Sequence, residues 1–285
     1  MKKFATMLNA NTKPFVDIKP DISFVSVGVF PALAHSMTHC SEGIILHPFF
    51  TPNGYNYEIG TEHAVCALLL WGVCENLAKK NNGVQEEMQE FLESLDIGYL
   101  ASESNISEEE ALSIGRFLCD KKCALLLGRD LALHQKSSLI AQLISTIAQL
   151  THTQLYLQDL DVGLDSTQGL IALTSAIASE FEDLPQSDGA FVYQVPPSDL
   201  QEVSLPKDAK LLMPNNFAMI FKLQDISSAP NPYILRLENT DILEIQARLL
   251  NELKGTIAVL CSHKISSYPF YKITSLLRRR ECLTS

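Results

Sequence analysis

The seven histidines (35, 39, 47, 63, 134, 152, 263) and seven cysteines (40, 66, 74, 119, 123, 261, 282) are the residues best suited to hold a metal or move a proton. Only His35 and His39 have the i, i+4 spacing that aims two imidazoles from one helix at one ion, with Cys40 adjacent. No clear third ligand is local, so no metal is assigned. Cys119 and Cys123 form a CxxxC, a poor match to zinc-ribbon or redox CxxC spacing. An iron–sulfur cluster needs about four closely spaced thiolates, which this pattern does not offer. Cys66 and Cys74 fall in an apolar run, where cysteine acts as a small hydrophobe.

GxSxG, HExxH, P-loop and EF-hand patterns do not occur, and no catalytic residue is assigned. Most of the acidic group Glu103, Glu108, Glu109 and Glu110 is explained by the start of a capped helix. What remains is a set at the ends of two apolar runs. Gly28 closes the run 21–28, and Gly128, Arg129 and Asp130 follow the run 124–127, with His134 just beyond. The carboxyl ends of parallel strands are where open α/β sheets place ligands, so Gly28, Gly128, Arg129 and Asp130 form the candidate cofactor-binding set. In this reading Arg129 contacts a phosphate or pterin and Asp130 orients it. The plainer alternative is a loop ion pair followed by a helix N-cap. The turn after Gly28 has one glycine where a dinucleotide fingerprint needs three, so that motif assigns no nucleotide.

The elements that must carry these residues follow from periodicity. Runs 21–28 and 43–47 read as buried strands flanking a helix over 31–40, a βαβ unit. Val65, Leu68, Leu69, Gly72 and Val73 put one apolar face on a helix over 61–80, with Thr61 as N-cap and Lys79 and Lys80 at its carboxyl end. A second amphipathic helix spans 84–95. Ser107 with Glu110 has the capping-box form and opens a helix ending near Cys119. A buried strand at 124–127, a helix at 137–150, a strand at 154–157 and a helix at 167–181 complete the alternation. The expected class is α/β, a doubly wound, mostly parallel sheet. From about Leu184 prolines cluster, and short candidate strands appear at 190–194, 211–213, 217–223, 233–237 and 256–261. The expected division is an N-terminal extension (1–20), a Rossmann-like α/β domain (21–183) and a smaller β-rich region with a basic tail (184–285).

The net charge is −11, yet from Lys254 onward six Lys or Arg face one acid, Glu281, so the preceding residues carry −16. An acidic body repels phosphate backbones, and no nucleic-acid partner is expected. Arg278, Arg279 and Arg280 read as a solvated end or a contact for an acidic partner or an anionic lipid surface. The start, Met1-Lys2-Lys3, is not followed by an apolar run of signal-peptide length, so export is not predicted. The longest apolar stretch, 64–74, falls short of the roughly twenty residues of a membrane span.

Several stretches share their order with a known family. They are Leu95-Asp96-Ile97-Gly98-Tyr99-Leu100-Ala101-Ser102-Glu103-Ser104-Asn105, the Glu108-Glu109-Glu110 triplet, and Leu125-Leu126-Leu127-Gly128-Arg129-Asp130-Leu131 with His134. Tyr57-Glu58-Ile59-Gly60-Thr61-Glu62, leading into Ala67-Leu68-Leu69, and Leu253-Lys254-Gly255-Thr256-Ile257-Ala258 flank them. Together they resemble the molybdopterin-oxidoreductase-like region of the large iron–sulfur subunit of NADH-quinone oxidoreductase (complex I), epsilonproteobacterial type. Family members carry an amino-terminal region rich in cluster-binding cysteines, and this chain begins after it. The resemblance implies a molybdopterin-oxidoreductase-like fold and a non-catalytic docking subunit of the respiratory peripheral arm, with no cofactor of its own. It implies other NADH dehydrogenase subunits as partners and a cytoplasmic location, peripheral on the inner face of the cell membrane through the complex. The competing expectations are a free-standing nucleotide- or pterin-binding protein or enzyme, and a decayed paralogue.

Overall fold

The computed structural model describes residues 2–8, 12–19, 22–37, 42–51, 54–80, 85–159, 173–200, 210–223, 231–238, 242–251, 253–262, 265 and 267–278. The protein is a mixed α/β chain of two compact units, Met1–Ser187 and Asp188–Ser285.

The first unit is built on a five-stranded sheet of β1 (Lys13–Pro14), β2 (Ser23–Val27), β3 (Gly43–Leu46), β4 (Cys123–Leu127) and β5 (Gln154–Leu157). Its order is β1-β5-β4-β2-β3, and every pairing is parallel. The chain therefore steps from β2 outward to β3, returns across β2 to β4, and continues to β5 on the other side. Val25, Val27, Leu125, Leu127, Leu155 and Leu157 point into the larger core. Phe24, Ala124, Leu126 and Tyr156 point the other way, into a smaller core with Phe15 and Ala34. Burial on both faces explains why these strands read as continuous apolar runs instead of alternating ones.

The larger core is organised around α3 (Glu62–Lys79), which packs on α5 (Ile97–Ser104), α6 (Glu108–Asp120) and α8 (Ser137–Thr151). Gly72 and Gly115 let α3 and α6 touch backbone to backbone, since a Cβ on Gly115 would stand 2.3 Å from the Gly72 carbonyl carbon. Asn76 Nδ2 donates to Gly72 O at 2.7 Å and to Leu112 O at 3.0 Å, bridging the same seam. The smaller core is covered by α2 (Pro31–Met37) and a 3-10 turn, Phe15–Asp17. Residues expected as an extension ahead of the domain belong to it. α1 (Lys2–Met7) lies against α8 and brings Phe4 and Ala5 into the core, and β1 joins the sheet edge.

The capping box at Ser107 forms as expected: its Oγ accepts from Glu110 N at 3.2 Å, and its own N–H donates to Glu110 Oε2 at 2.8 Å. Thr61 precedes α3, but its hydroxyl donates to Glu58 O at 2.7 Å instead of capping. α4 (Glu86–Glu93) forms within the expected 84–95. The helix expected over 167–181 is a 3-10 helix, Ser175–Phe181, where described, and 167–172 lie outside the described residues.

The second unit is a closed barrel in the order β10-β6-β11-β8-β9-β7. Its strands are β6 (Phe191–Val195), β7 (Leu211–Met213), β8 (Asn231–Leu237), β9 (Ile242–Leu249), β10 (Ile257–Cys261) and β11 (Phe270–Arg278). Val192, Leu211, Met213, Tyr233, Leu235, Ala247, Ala258 and Leu260 share its core. The strand expected at 217–223 is instead α9 (Asn215–Ile220), which buries only Phe217 and Ala218 and leaves Met219 and Ile220 exposed. A strand there would bury alternate residues, whereas here two neighbours turn inward together. Among the described residues no helix is long and apolar enough to cross a membrane. The tail beyond Arg278 lies outside the described residues.

Candidate functional site

The strand registers place one row of residues along the carboxyl edge of the parallel sheet. Val27 pairs with Leu46 and with Leu127, and Leu127 with Leu157, so the next residues, His47, Gly28, Gly128 and Gln158, stand side by side. The ladder runs on into this row: Gly28 N donates to Leu46 O at 3.1 Å, Gly128 N to Val27 O at 2.9 Å, and Gln158 N to Leu127 O at 2.9 Å. All four sequence-selected residues, Gly28, Gly128, Arg129 and Asp130, come together here, beside the point where the strand order reverses between β2 and β4.

The two glycines serve the chain's own packing. Gly28 turns with φ +66°, and a Cβ there would sit 3.2 Å from Leu131 Cγ. A Cβ on Gly128 would stand 1.6 Å from Gly28 O, a separation no side chain survives.

The sequence places Arg129 and Asp130 in a polar loop, with the carboxylate orienting the guanidinium. They instead open a short helix, α7 (Arg129–Leu133), and both are buried. The side chains part company. Arg129 Nη2 reaches Asp159 Oδ2 at 3.0 Å, while its N–H donates to Gln158 Oε1 at 3.2 Å. Asp130 Oδ2 faces His47 Nε2 at 3.4 Å, with both side chains fully buried. A helical turn sends consecutive side chains about 100° apart, so neighbours in sequence meet different partners.

No sequence motif singles out His47. Its Nδ1 accepts from Phe49 N at 2.9 Å, which places the ring proton on Nε2, the atom turned toward Asp130. Phe30 meets the ring edge-on, with centroids 6.2 Å apart. A general base needs a ring nitrogen that can reach a substrate proton. Here one nitrogen takes a backbone N–H and the other faces a buried carboxylate.

A second histidine–carboxylate pair lies at the far end of α7. His134 Nδ1 accepts from Lys136 N at 3.0 Å, and Nε2 approaches Gly60 O at 3.0 Å and Glu62 Oε2 at 3.3 Å. Burial holds its pKa below the usual imidazole range, with Lys136 adding to the effect and the Gly60 carbonyl opposing it. His63 stands 5.5 Å from the His134 ring and stacks on Phe181. Burial first, then the neighbouring His134 and Lys136, push the His63 pKa down to about 3. Nothing in the sequence marks Glu62 and His63, because they open an apolar helix and look like ordinary first-turn residues.

The thiols are equally withdrawn. Burial raises the pKa of Cys66, raises Cys74 to about 12, and raises Cys119 and Cys123. Among the described residues no three His, Cys, Asp or Glu side chains are grouped to hold a metal ion. The His35, His39 and Cys40 set lies outside that statement, because residues 38–41 and the His35 side chain are outside the described residues. Away from the sheet edge, a groove of about 770 Å³ is lined by Asn56, Asn105, Glu108 and Glu109 among others. Its acids are the first turn of α6. Comparison with protein-family models and with characterised proteins returns no match to this chain.

Proposed function

We propose that this chain is a non-catalytic docking subunit, and that its assembly is the peripheral arm of a respiratory NADH-quinone oxidoreductase, as the resemblance to the large iron–sulfur subunit of that enzyme implies. The observation that carries the non-catalytic reading is the closed state of the sheet's carboxyl edge. Gly28 and Gly128 abut each other, and His47 and His134 each have both ring nitrogens directed at groups of the protein itself. Such an edge holds strand ends together and leaves binding to outer surfaces.

The sheet is proposed to be doubly wound, with the reversal between β2 and β4 and covering elements on both faces in support. A parallel-sheet unit followed by a β-rich unit is also the order that the resemblance implies. The acidic body suits partners that present basic patches. Attachment to the membrane would run through those partners.

The test is affinity capture of the tagged full-length chain from membranes of its native host. Co-purification of other NADH dehydrogenase subunits, with no flavin or iron–sulfur absorbance in the isolated chain, is expected. A chain that elutes alone removes the assignment. The competing reading, a nucleotide or pterin binder, is favoured only by the buried Arg129 at the end of β4. It predicts a thermal shift with such ligands, since saturation at one hundred times Kd adds about 2.7 kcal/mol.

A further inference from the structure

The last stretch of the first unit, residues 173–187, crosses the start of α3 and is fastened there at a few points. Phe181 stacks on His63 with ring centroids 5.6 Å apart and 25° between planes, and lies 6.4 Å from the Phe91 ring. Lys136 Nζ pairs with Glu180 Oε2 at 3.0 Å and also donates to the Glu180 carbonyl. Tyr99 Oη donates to Glu182 O at 3.0 Å and accepts from Leu184 N at 3.3 Å. Pro185 covers Gly60, and Ser187 Oγ donates to Glu58 Oε2. Between these ties the segment is 3-10 or irregular, and it borders a cleft of about 330 Å³ lined by Ser94, Leu95, Tyr99 and Phe181 among others. Part of its inner face therefore lacks close-packed support.

The charges beneath the segment are arranged against a proton. Burial opposes a proton on His63 most, His134 from the end of α7 and Lys136 from the start of α8 oppose it further, and the Glu180 backbone on the segment itself acts the other way. Glu62 lies beside it on α3 but is turned toward His134, and Glu180 on the segment is engaged by Lys136. We propose that residues 173–187 form an acid-released strap: protonation of His63 against His134 and Lys136 expels Phe181 and frees the segment while the parallel sheet stays folded.

The sign follows from linkage. Docked, His63 holds a proton only near pH 3, whereas a released, solvated ring takes one near pH 6.5. Docking is therefore fully favoured above pH 6.5 and weakens about tenfold per unit as pH falls toward 3.

Hydrogen–deuterium exchange of the full chain, corrected for intrinsic rates, tests the proposal at pH 7.5 and 4.5. Protection of peptides spanning 175–187 is expected to fall about 100-fold, while peptides from β4 and α8 keep theirs. In His63→Phe, which keeps the stack and cannot ionise, strap protection should be the same at both pH values. NMR titration of the wild-type His63 ring, needed should that variant fail to fold, should follow the loss of strap protection. Unchanged strap protection at pH 4.5, an equal loss in His63→Phe, simultaneous loss in β4, or a ring titration out of step with the strap would each overturn it.

Discussion

Gly128 and Gly28 meet backbone to backbone at the reversal of the strand order, with no room for a methyl group between them. Gly128→Ala must push two strand ends apart, and neither partner is a flexible side chain that can yield. A loss of about 3 kcal/mol or more is expected in urea unfolding. A variant as stable as the parent would show that the contact is slack.

Asp130→Ala removes the fully buried carboxylate that His47 Nε2 faces at 3.4 Å. The expected cost is about 2–3 kcal/mol. Lys121→Ala breaks the half-exposed pair with Glu42 and should change stability by less than about 1 kcal/mol. Equal effects from the two substitutions would argue against a structural role for the buried pair.

The seam between α3 and α6 provides a third test. Gly115→Ala inserts a methyl group 2.3 Å from the Gly72 carbonyl carbon and should cost about 2 kcal/mol. Asn76→Ala, which removes the bridge to Gly72 O and Leu112 O, should cost about 1 kcal/mol. Because both act on one seam, the double variant should fall short of the sum of the two.

Cysteine labelling checks the burial of the first unit. At pH 8 the Cys66 and Cys74 thiols stay protonated, the second with a pKa near 12, so iodoacetamide should leave both unmodified in the folded chain. Peptide mapping after urea unfolding should show full modification. Rapid labelling of Cys66 in the native protein would contradict its placement in the core.

Local signals are legible in the sequence and pairings across it are not. The Ser107 capping box, the runs of β4 and β5, and the apolar face of α3 each depend on residues within a few positions, and each can be read directly. Gly28, Gly128, Arg129 and Asp130 are drawn to one sheet edge because strand ends announce themselves. Their partners are hidden: His47 is 83 positions from Asp130, and only the strand registers align it with the two glycines. α5 lacks a clear period, although Asp96, whose carboxylate accepts from Tyr99 N at 2.9 Å, marks its start. β9 escapes a sequence reading because Glu244, Gln246 and Arg248 alternate with Ile245 and Ala247, and one buried face spells no apolar run.

The closed barrel of the second unit bears on how this chain can meet a partner. Each of its strands already has a neighbour on both sides, so the described barrel offers no open rim to which another protein could add a strand. The sheet of the first unit has two rims: β1 is two residues long and includes Pro14, which has no N–H to give, and on the β3 side the Ile45 carbonyl and the His47 N–H are already taken by Tyr55. Under the proposed docking role, recognition is expected to be written in side chains, so that changing surface residues should abolish binding while the backbone of both units is left untouched.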